Sequence, residues 1–147
     1  MADAGLRPAL VVTCAVIVDA AGRVLAALRP RGKSLGGKWE FPGGKLEAGE
    51  SAAEALKREL HEELSVIANV GPALAVVSHE YEEFSIELHP FLVEIVEGIA
   101  HPHEHEELRW VTMAEAATLD WAAADVPVLD ELRELLNSAA DQRLPSR

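Results

Sequence analysis

Three glutamates, Glu59, Glu62 and Glu63, are spaced i, i+3 and i+4 along the chain. At about 100° per residue these positions share one arc of a helix. Like charges at this spacing repel one another, and a bound cation would remove that repulsion. Mg²⁺ takes oxygen ligands and commonly joins one or two carboxylates to substrate phosphates. The spacing is therefore typical of a magnesium site, although a solvated helix surface shows the same pattern.

Two neighbouring features could complete such a site. Arg58 directly precedes the first glutamate, where its guanidinium could orient a carboxylate. The turn at residues 42–44, Pro-Gly-Gly, could add a backbone carbonyl as a further oxygen ligand. Glycine at such a turn permits backbone conformations that other residues avoid.

The segment at residues 29–38 is basic, in contrast to the rest of the chain. The chain as a whole is acidic, with 25 acidic and 13 basic residues and a formal net charge of −12. The basic residues of the segment are Arg29, Arg31, Lys33 and Lys38. It also contains glycine, so we expect a loop that presents positive charge.

A helix must hold the three glutamates. Between Ser51 and Leu64 apolar residues recur every fourth position, which predicts a helix with one buried stripe. Ser51 followed by Glu54 is the pattern of a capping box and marks the helix start. The glutamates lie beside this stripe, at the boundary between core and solvent.

The remaining predicted elements include both strands and helices. Leu10 to Asp19 and Arg23 to Leu28 are interpreted as a hairpin of two strands, because Ala-Ala-Gly joins them. Further strands are predicted at residues 39–41, 67–79, 85–96 and 108–111, and further helices at 114–119 and 126–136. Strands and helices without regular alternation predict an α+β fold with a mixed sheet.

Length and composition restrict the protein's class. A chain of 147 residues suits a single domain, 1–147, with short flexible tails at about 1–8 and 140–147. The acidic charge disfavours nucleic acid as a partner. The lone Cys14 forms no internal disulfide and is expected to be a small buried side chain. No stretch resembles a membrane span or a signal peptide, so a cytoplasmic protein is expected.

The run from Gly44 to Val66 resembles the signature of the Nudix hydrolases. That signature is Gly, five residues, Glu, seven residues, then Arg-Glu-aliphatic-any-Glu-Glu-any-Gly-aliphatic. Every defined position matches except the late glycine, which is Ser65 here. Serine should strain or reshape the left-handed helix cap that glycine would serve, with little reason to alter the chemistry.

Residues outside the signature extend the resemblance to roughly 10–136. They are Leu28-Arg29-Pro30, Trp39 to Lys45 and Asp125 to Val128, which look most like the MutT-type nucleoside triphosphate pyrophosphohydrolases and their CTP-type relatives. The resemblance implies the Nudix fold, an α/β/α sandwich with a mixed β-sheet. It also implies hydrolysis of a phosphoanhydride, with release of pyrophosphate and a nucleoside monophosphate.

The same resemblance implies the metal site. Mg²⁺, with Mn²⁺ as a substitute, would be held by Glu59, Glu62 and Glu63 with the carbonyl of Gly43. Arg58 would anchor these carboxylates. Glu50 would brace the preceding loop against the helix.

Counting back from Trp110, Glu104 occupies the place of an acidic residue that often follows the long strands of this family. Glu104 and Glu59 are both candidates for the base that activates water. The implied catalytic set is Glu59, Glu62, Glu63, Glu104 and Arg58. The implied substrate-binding set is Arg29, Glu40, Phe41, Pro42, Gly43 and Asp125, with the basic loop facing the triphosphate.

The base preference depends on Asp125. MutT-type enzymes that remove oxidised guanine nucleotides read the base with an asparagine at this place. Asp125 could accept hydrogen bonds from a base, donate one if protonated, or simply cap the last helix. Phe84 also departs from that pattern, since it stands about where the guanine-reading relative has a positive charge. The hypothesis is hydrolysis of 8-oxo-dGTP in nucleotide-pool sanitising, with CTP or a modified dCTP as the alternative.

Other interpretations stay open. The same helix would serve a nucleotide-sugar or dinucleoside-polyphosphate hydrolase, or a nucleotide sensor without catalysis. His101, His103 and His105 alternate in a polar segment and could hold a transition metal. We expect them to be simply exposed, because no tetrahedral Cys/His pattern accompanies them.

Overall fold

The computed structural model describes residues 9–143, with eight strands and three α-helices. The strands are β1 (Ala9–Ile17), β2 (Val24–Leu28), β3 (Trp39–Glu40), β4 (Gly43–Lys45), β5 (Ile67–Ala73), β6 (Val77–Glu80), β7 (Ser85–Glu97) and β8 (Glu107–Val111). The helices are α1 (Ala52–Leu64), α2 (Met113–Ala116) and α3 (Val126–Arg143), and a 3₁₀ turn at Ala123–Asp125 leads into α3. The expected tail at 1–8, and residues 144–147 of the expected tail at 140–147, lie outside the described residues.

The larger sheet is mixed, as predicted. Its order is β4-β1-β7-β5, and β6 also pairs with β7. The central pair β1–β7 is parallel, with Ala9 opposite Ser85 and Ile17 opposite Val93, whereas the other pairs are antiparallel. This register carries β4, and therefore the Gly43-Gly44 turn, along the edge of β1.

The predicted hairpin of the first two strands is wrong. β2 belongs to a second sheet of order β3-β2-β8, and a bridge between Val18 and Val24 joins it to the end of β1. The reason is that β1 already pairs with β4 on one side and β7 on the other. The turn itself forms as expected, because Asp19 Oδ1 accepts hydrogen bonds from the N–H groups of Ala21 and Arg23.

Helices cover both faces of the larger sheet. Alternate residues of β1 point in opposite directions, as in any strand. Ala15 and Ile17 pack in a cluster with the leucine stripe of α1, whereas Cys14 and Val16 pack with the apolar face of α3. The molecule is therefore an α/β/α sandwich with β1 at its centre. Cys14 is buried, as expected.

Three elements differ in length from the sequence prediction. The predicted strand 67–79 is divided into β5 and β6, which pair with different halves of β7. Helix α2 ends at Ala116, and α3 continues to Arg143, which includes residues 140–143 of the expected C-terminal tail. In the described part of the chain, no helix has the length and apolar character needed to cross a membrane.

Candidate active site

Helix α1 begins and ends as its sequence predicts. Ser51 accepts a hydrogen bond from the N–H of Glu54, while the Glu54 side chain accepts one from the N–H of Ser51. At the other end, Ser65 keeps the left-handed conformation that the signature glycine would take, with φ of 61°. This conformation is unfavourable for serine, so the cap is formed under local strain.

Arg58 joins α1 to the loop before it. Its Nε and Nη2 donate to the two carboxylate oxygens of Glu50, at 2.6 and 2.9 Å. Nη1 donates to Glu59 and Glu62, both at 3.2 Å. These bonds with Arg58 lower the pKa of Glu50 to about 2 and raise the pKa of Arg58 further above its usual range. The bidentate pair therefore fixes the loop 46–50 against the helix.

The two glycines of the 42–44 turn allow close packing around Glu59. A Cβ on Gly44 would overlap the Glu59 carboxylate, and a Cβ on Gly43 would overlap the carbonyl of Thr13. Before them, the Pro42 carbonyl accepts a hydrogen bond from Ala15 N–H at 2.8 Å. A larger side chain would displace either the turn or the carboxylate, so the Gly-Gly pair is required by space.

A cavity of about 660 Å³ opens beside this turn. The predicted site residues that line it are Arg29, Glu40, Phe41, Gly43, Glu59, Glu63, Glu104 and Asp125. Pro42, Arg58 and Glu62 are not part of its lining. Glu62 is turned to Arg58 and its side chain is 57% exposed. The structure thus brings most of the predicted residues to one cavity and leaves Glu62 at its outer edge.

The carboxylates inside the cavity repel one another. Burial, and then the charges of Glu104 and Glu59, raise the pKa of Glu63 to about 6. Burial also raises the pKa of Glu59, against the opposing effect of Arg58. In the described residues, no three His, Cys, Asp or Glu side chains converge tightly enough to hold a metal by themselves. The oxygen donors around the cavity nevertheless fit a hard divalent cation, which would offset their repulsion.

Asp125 also lines the cavity, and it is buried. Its Oδ2 accepts a hydrogen bond from Phe41 N–H at 2.9 Å, so it ties the 3₁₀ turn to the segment between β3 and β4. This side-chain bond runs across the fold to Phe41, which differs from a simple helix cap. Burial and then the nearby Glu40 raise the pKa of Asp125 to about 8. Its carboxyl group is therefore largely protonated at neutral pH and can donate a hydrogen bond.

This protonation makes stability depend on pH. The usual pKa of Asp125 is 3.8 and its folded value is about 8. Its contribution to stability is therefore fully present below pH 3.8, falls as the pH rises, and is lost once the pH passes about 8. We expect the melting temperature of metal-free protein to fall between pH 6 and pH 9, and Asp125→Asn to flatten that fall. Calorimetry at pH 6 and pH 9 measures this fall in wild type, in Asp125→Asn and in the control Asp120→Asn, which removes an exposed carboxylate. An equal fall in melting temperature in all three proteins would contradict the prediction.

Arg29, Glu40 and His105 form a chain of contacts along the cavity wall. Arg29 Nη1 donates to the two Glu40 oxygens at 3.3 and 3.4 Å, and its Nε donates to the Ser34 carbonyl at 2.7 Å. His105 Nε2 bonds to Glu40 Oε2 at 2.8 Å. Lys33 of the same basic loop also lines the cavity, so part of the predicted positive segment faces it.

The expectation that the histidines are simply exposed is wrong for His105. Its side chain is 7% exposed, and Nδ1 is buried without a hydrogen-bond partner. Burial of His105 depends on Glu40, which is distant in sequence, and alternation within a polar segment carries no sign of it. His101 and His103 are exposed, as expected.

Sequence reasoning also missed an aromatic wall. Tyr81 and Phe84 line the cavity with ring centroids 4.9 Å apart. The Tyr81 hydroxyl accepts a hydrogen bond from Ala124 N–H at 2.9 Å, which places the β6–β7 turn beside the 3₁₀ turn that carries Asp125. Tyr81 belongs to no recognisable motif, and Phe84 stands out in the sequence only as a departure from the guanine-reading pattern, so no signal in the sequence predicts their contact.

Comparison with known proteins establishes the family. Residues 13–131 match the family described as NUDIX domain, and the chain belongs to it. The fold expected from the signature, the Nudix α/β/α sandwich, is thereby confirmed.

Individual relatives agree with this assignment. The chain is 40% identical to the CTP pyrophosphohydrolase of Escherichia coli, over 82% of this chain and 90% of that protein. It is 39% identical to the putative 8-oxo-dGTP diphosphatase 2 of Mycobacterium tuberculosis, over 80% and 85% of the two chains. A MutT NUDIX hydrolase structure from Burkholderia pseudomallei superposes with a TM-score of 0.77 at 27% identity, covering 84% of this chain and 98% of that one.

Proposed function

We propose that this protein is a nucleoside triphosphate pyrophosphohydrolase that uses Mg²⁺ and acts on 8-oxo-dGTP in nucleotide-pool sanitising. The observation that carries the proposal is the cavity itself, which is lined both by a cluster of carboxylates and by the buried, protonatable Asp125. Relatives named as 8-oxo-dGTP diphosphatases and as a CTP pyrophosphohydrolase support it. The volume of the cavity, about 660 Å³, suits a nucleotide.

The triphosphate is placed between positive and metal-binding groups. Hydrolases of this family generally need a divalent metal, and we assign Mg²⁺, with Mn²⁺ as a substitute. Glu59, Glu63 and the carbonyl of Gly43 would hold it from the cavity, and Glu62 would join them from the rim. Arg29, which also lines the cavity, would contribute positive charge at the phosphates. The bound cation supplies charge neutralisation at the phosphates.

The chain's own residues then orient water and retain the proton. Water attacks phosphorus, one phosphoanhydride P–O bond breaks, and pyrophosphate leaves from the nucleoside monophosphate. Glu104 and Glu59 both line the cavity, and each can accept the proton of the attacking water. Arg58 holds Glu59 in place through its 3.2 Å bond but does not line the cavity, so it acts by positioning.

Asp125 would read the base. With Oδ2 occupied by Phe41 N–H, the other oxygen is left for the nucleotide, and in the protonated group it can donate a hydrogen bond. The O6 atom of 8-oxo-guanine accepts such a bond. Phe84 and Tyr81 would supply an aromatic surface for the base.

A cytosine nucleotide is the second candidate. A carboxyl oxygen can also accept a hydrogen bond from the exocyclic amino group of cytosine, which an asparagine amide nitrogen cannot do. The residue at this position is aspartate rather than the asparagine of guanine-reading relatives, and one relative at 40% identity is a CTP pyrophosphohydrolase.

The proposal is tested by measuring pyrophosphate release at fixed Mg²⁺ across a substrate panel. The panel holds the unmodified dNTPs and NTPs, 8-oxo-dGTP, 5-methyl-dCTP, ADP-ribose and a dinucleoside polyphosphate. We expect the highest kcat/KM for 8-oxo-dGTP. A preference for cytosine nucleotides would establish the second candidate, and hydrolysis of ADP-ribose or the dinucleoside polyphosphate alone would contradict both.

A control separates a sensor from an enzyme. If no substrate is hydrolysed with either Mg²⁺ or Mn²⁺, binding is measured by calorimetric titration with the same nucleotides. Tight binding without turnover would replace the proposed hydrolase by a nucleotide sensor.

A further inference from the structure

The loop between β7 and β8, residues 98–106, carries Glu104 into the cavity. Its backbone is attached to α1 and β2: His101 N–H donates to the Leu64 carbonyl at 3.0 Å, and Glu106 N–H donates to the Leu28 carbonyl at 2.9 Å. Among the described residues, the Glu104 carboxylate has no hydrogen-bond or ion-pair partner of its own. Its position therefore depends on what holds the residues around it.

His103, on one side of Glu104, is held by Ser65. The Nε2 atom of His103 lies 2.6 Å from Ser65 Oγ. The backbone N–H of His103 donates a hydrogen bond to the Glu63 carbonyl at 3.4 Å. Ser65 is the residue that departs from the signature glycine and adopts a left-handed conformation, at φ of 61°. A glycine could not form this bond. The strained serine thus contributes a hydroxyl that anchors the loop to the end of α1.

His105, on the other side of Glu104, is held by Glu40. His105 Nε2 lies 2.8 Å from Glu40 Oε2, within hydrogen-bond distance. The other ring nitrogen, Nδ1, is buried without a hydrogen-bond partner. Burying an unpaired polar atom is costly, so the Glu40 bond and the surrounding packing must maintain this position.

We propose that His103 and His105 are positioning residues that hold Glu104 from both sides, through Ser65 and Glu40 respectively, and so direct its carboxylate into the cavity beside Glu63. On this account the glutamate is flanked by two histidines that bond to other elements, His103 to Ser65 and His105 to Glu40. Glu104 and His105 both line the cavity, whereas His103 does not. The inference rests on the proposed function, in which Glu104 is one of the two groups that can activate water.

The first test compares two replacements of His105. Glutamine can place an amide N–H near the position of Nε2, whereas asparagine reaches only the position of Nδ1 and loses the bond to Glu40. We expect His105→Asn to lower kcat by about 10- to 100-fold, the usual effect of removing a partner that orients an active-site group. His105→Gln should recover most of that loss. His105→Asn should also raise KM, because Glu40 contacts Arg29.

The second test uses Ser65→Gly, which restores the signature residue. Glycine relieves the backbone strain and removes the hydroxyl, so the melting temperature should stay equal or rise while kcat falls by roughly threefold to tenfold, as for a single exposed hydrogen bond. KM should be unchanged, since neither Ser65 nor His103 lines the cavity. His101→Asn, an exposed histidine of the same loop, is the control and should behave as wild type.

A combined variant shows whether the effects pass through Glu104. In a Glu104→Gln background, His105→Asn and Ser65→Gly should lower kcat no further, because the group they position has already lost its function. Hydrogen exchange of the loop amides in nucleotide-free protein should be faster in both variants than in wild type. That readout requires no turnover, so it also tests the attachment if the proposed function fails.

Unchanged kcat in His105→Asn and Ser65→Gly, with active wild-type enzyme, would overturn the proposal. An equal loss of kcat in His105→Asn and His105→Gln would also overturn it. So would losses of kcat that add to the loss caused by Glu104→Gln. If wild-type protein hydrolyses none of the nucleotides, the proposed function fails. Unchanged hydrogen exchange of the loop amides in His105→Asn and Ser65→Gly would then also refute the attachment of the loop through Glu40 and Ser65.

Discussion

Replacing Glu63 with Gln is expected to lower kcat by about 10³-fold, since one metal-holding oxygen contributes several kcal/mol to stabilising transition-state charge. Glu63 lines the cavity together with Glu59 and Glu104, and burial followed by the charges of these two glutamates raises its pKa. The change should be measured with the best substrate of the panel at saturating Mg²⁺. Titrating Mg²⁺ in the same assay distinguishes weaker metal binding from slower chemistry.

The same variant should become more stable without metal. The folded pKa of Glu63 is about 6, above its usual 4.5, so its ionisation destabilises the folded protein as the pH rises through that value. Glutamine cannot ionise, and metal-free Glu63→Gln should melt at a higher temperature than wild type at pH 7. Addition of Mg²⁺ should raise the melting temperature less than in wild type. Glu134→Gln, on the exposed side of α3, controls for loss of charge alone.

A near-wild-type kcat in Glu63→Gln would remove Glu63 from the metal site. Glu62→Gln makes a useful comparison, because Glu62 is bonded to Arg58 outside the cavity. An equal loss in both variants would mean that Glu62 leaves Arg58 to join the metal in the working enzyme.

The part of the site on α1 could be predicted because its geometry is local. Helical spacing alone places Glu59 and Glu63 on one arc, and a capping box sets the start of the helix. In both cases a single short segment contains the information. The Gly-Gly turn was expected for its backbone conformation, but neither glycine has a positive φ, and the structure shows that the pair is required by space because Gly44 lies against Glu59.

The part of the site that depends on contacts between distant segments could not be predicted in the same way. Arg58 was expected to orient carboxylates and Glu50 to brace the loop, but the direct pairing of these two side chains depends on how the loop folds back. The bond between His105 and Glu40 joins the β7–β8 loop to β3, 65 residues away in sequence. The pairing of β1 is equally non-local, since its two edges are occupied by β4 and β7.

Asp125 combines both kinds of information. Its position before the last helix suggested a cap, and its likeness to a base-reading position suggested a ligand contact. The structure adds a bond to Phe41 N–H and a pKa of about 8, both of which arise from tertiary burial. A cap exposed to solvent would not favour the protonated form, whereas a buried carboxyl group does. Under the proposed function, the base preference would depend on the protonation of Asp125.

Asp125→Asn is expected to shift the preference between bases more than the rate on the better substrate. Asparagine can still accept from Phe41 N–H with its carbonyl oxygen, and it then presents an amide N–H₂ to the nucleotide. That group donates to O6 of 8-oxo-guanine but has no acceptor for the amino group of cytosine. The ratio of kcat/KM for 8-oxo-dGTP over dCTP should rise by roughly 10- to 100-fold, as about 1–3 kcal/mol from one polar contact allows.

The control for this shift is Asp120→Asn, which removes a carboxylate that is 72% exposed and pairs with Lys38. It should leave the ratio unchanged. A fall in the ratio for Asp125→Asn would mean that Asp125 contacts a donor on guanine and works as an acceptor, so that its protonated form is not the one that binds. An unchanged ratio would restrict Asp125 to tying the 3₁₀ turn to Phe41, and the base would then be read by the Tyr81–Phe84 wall.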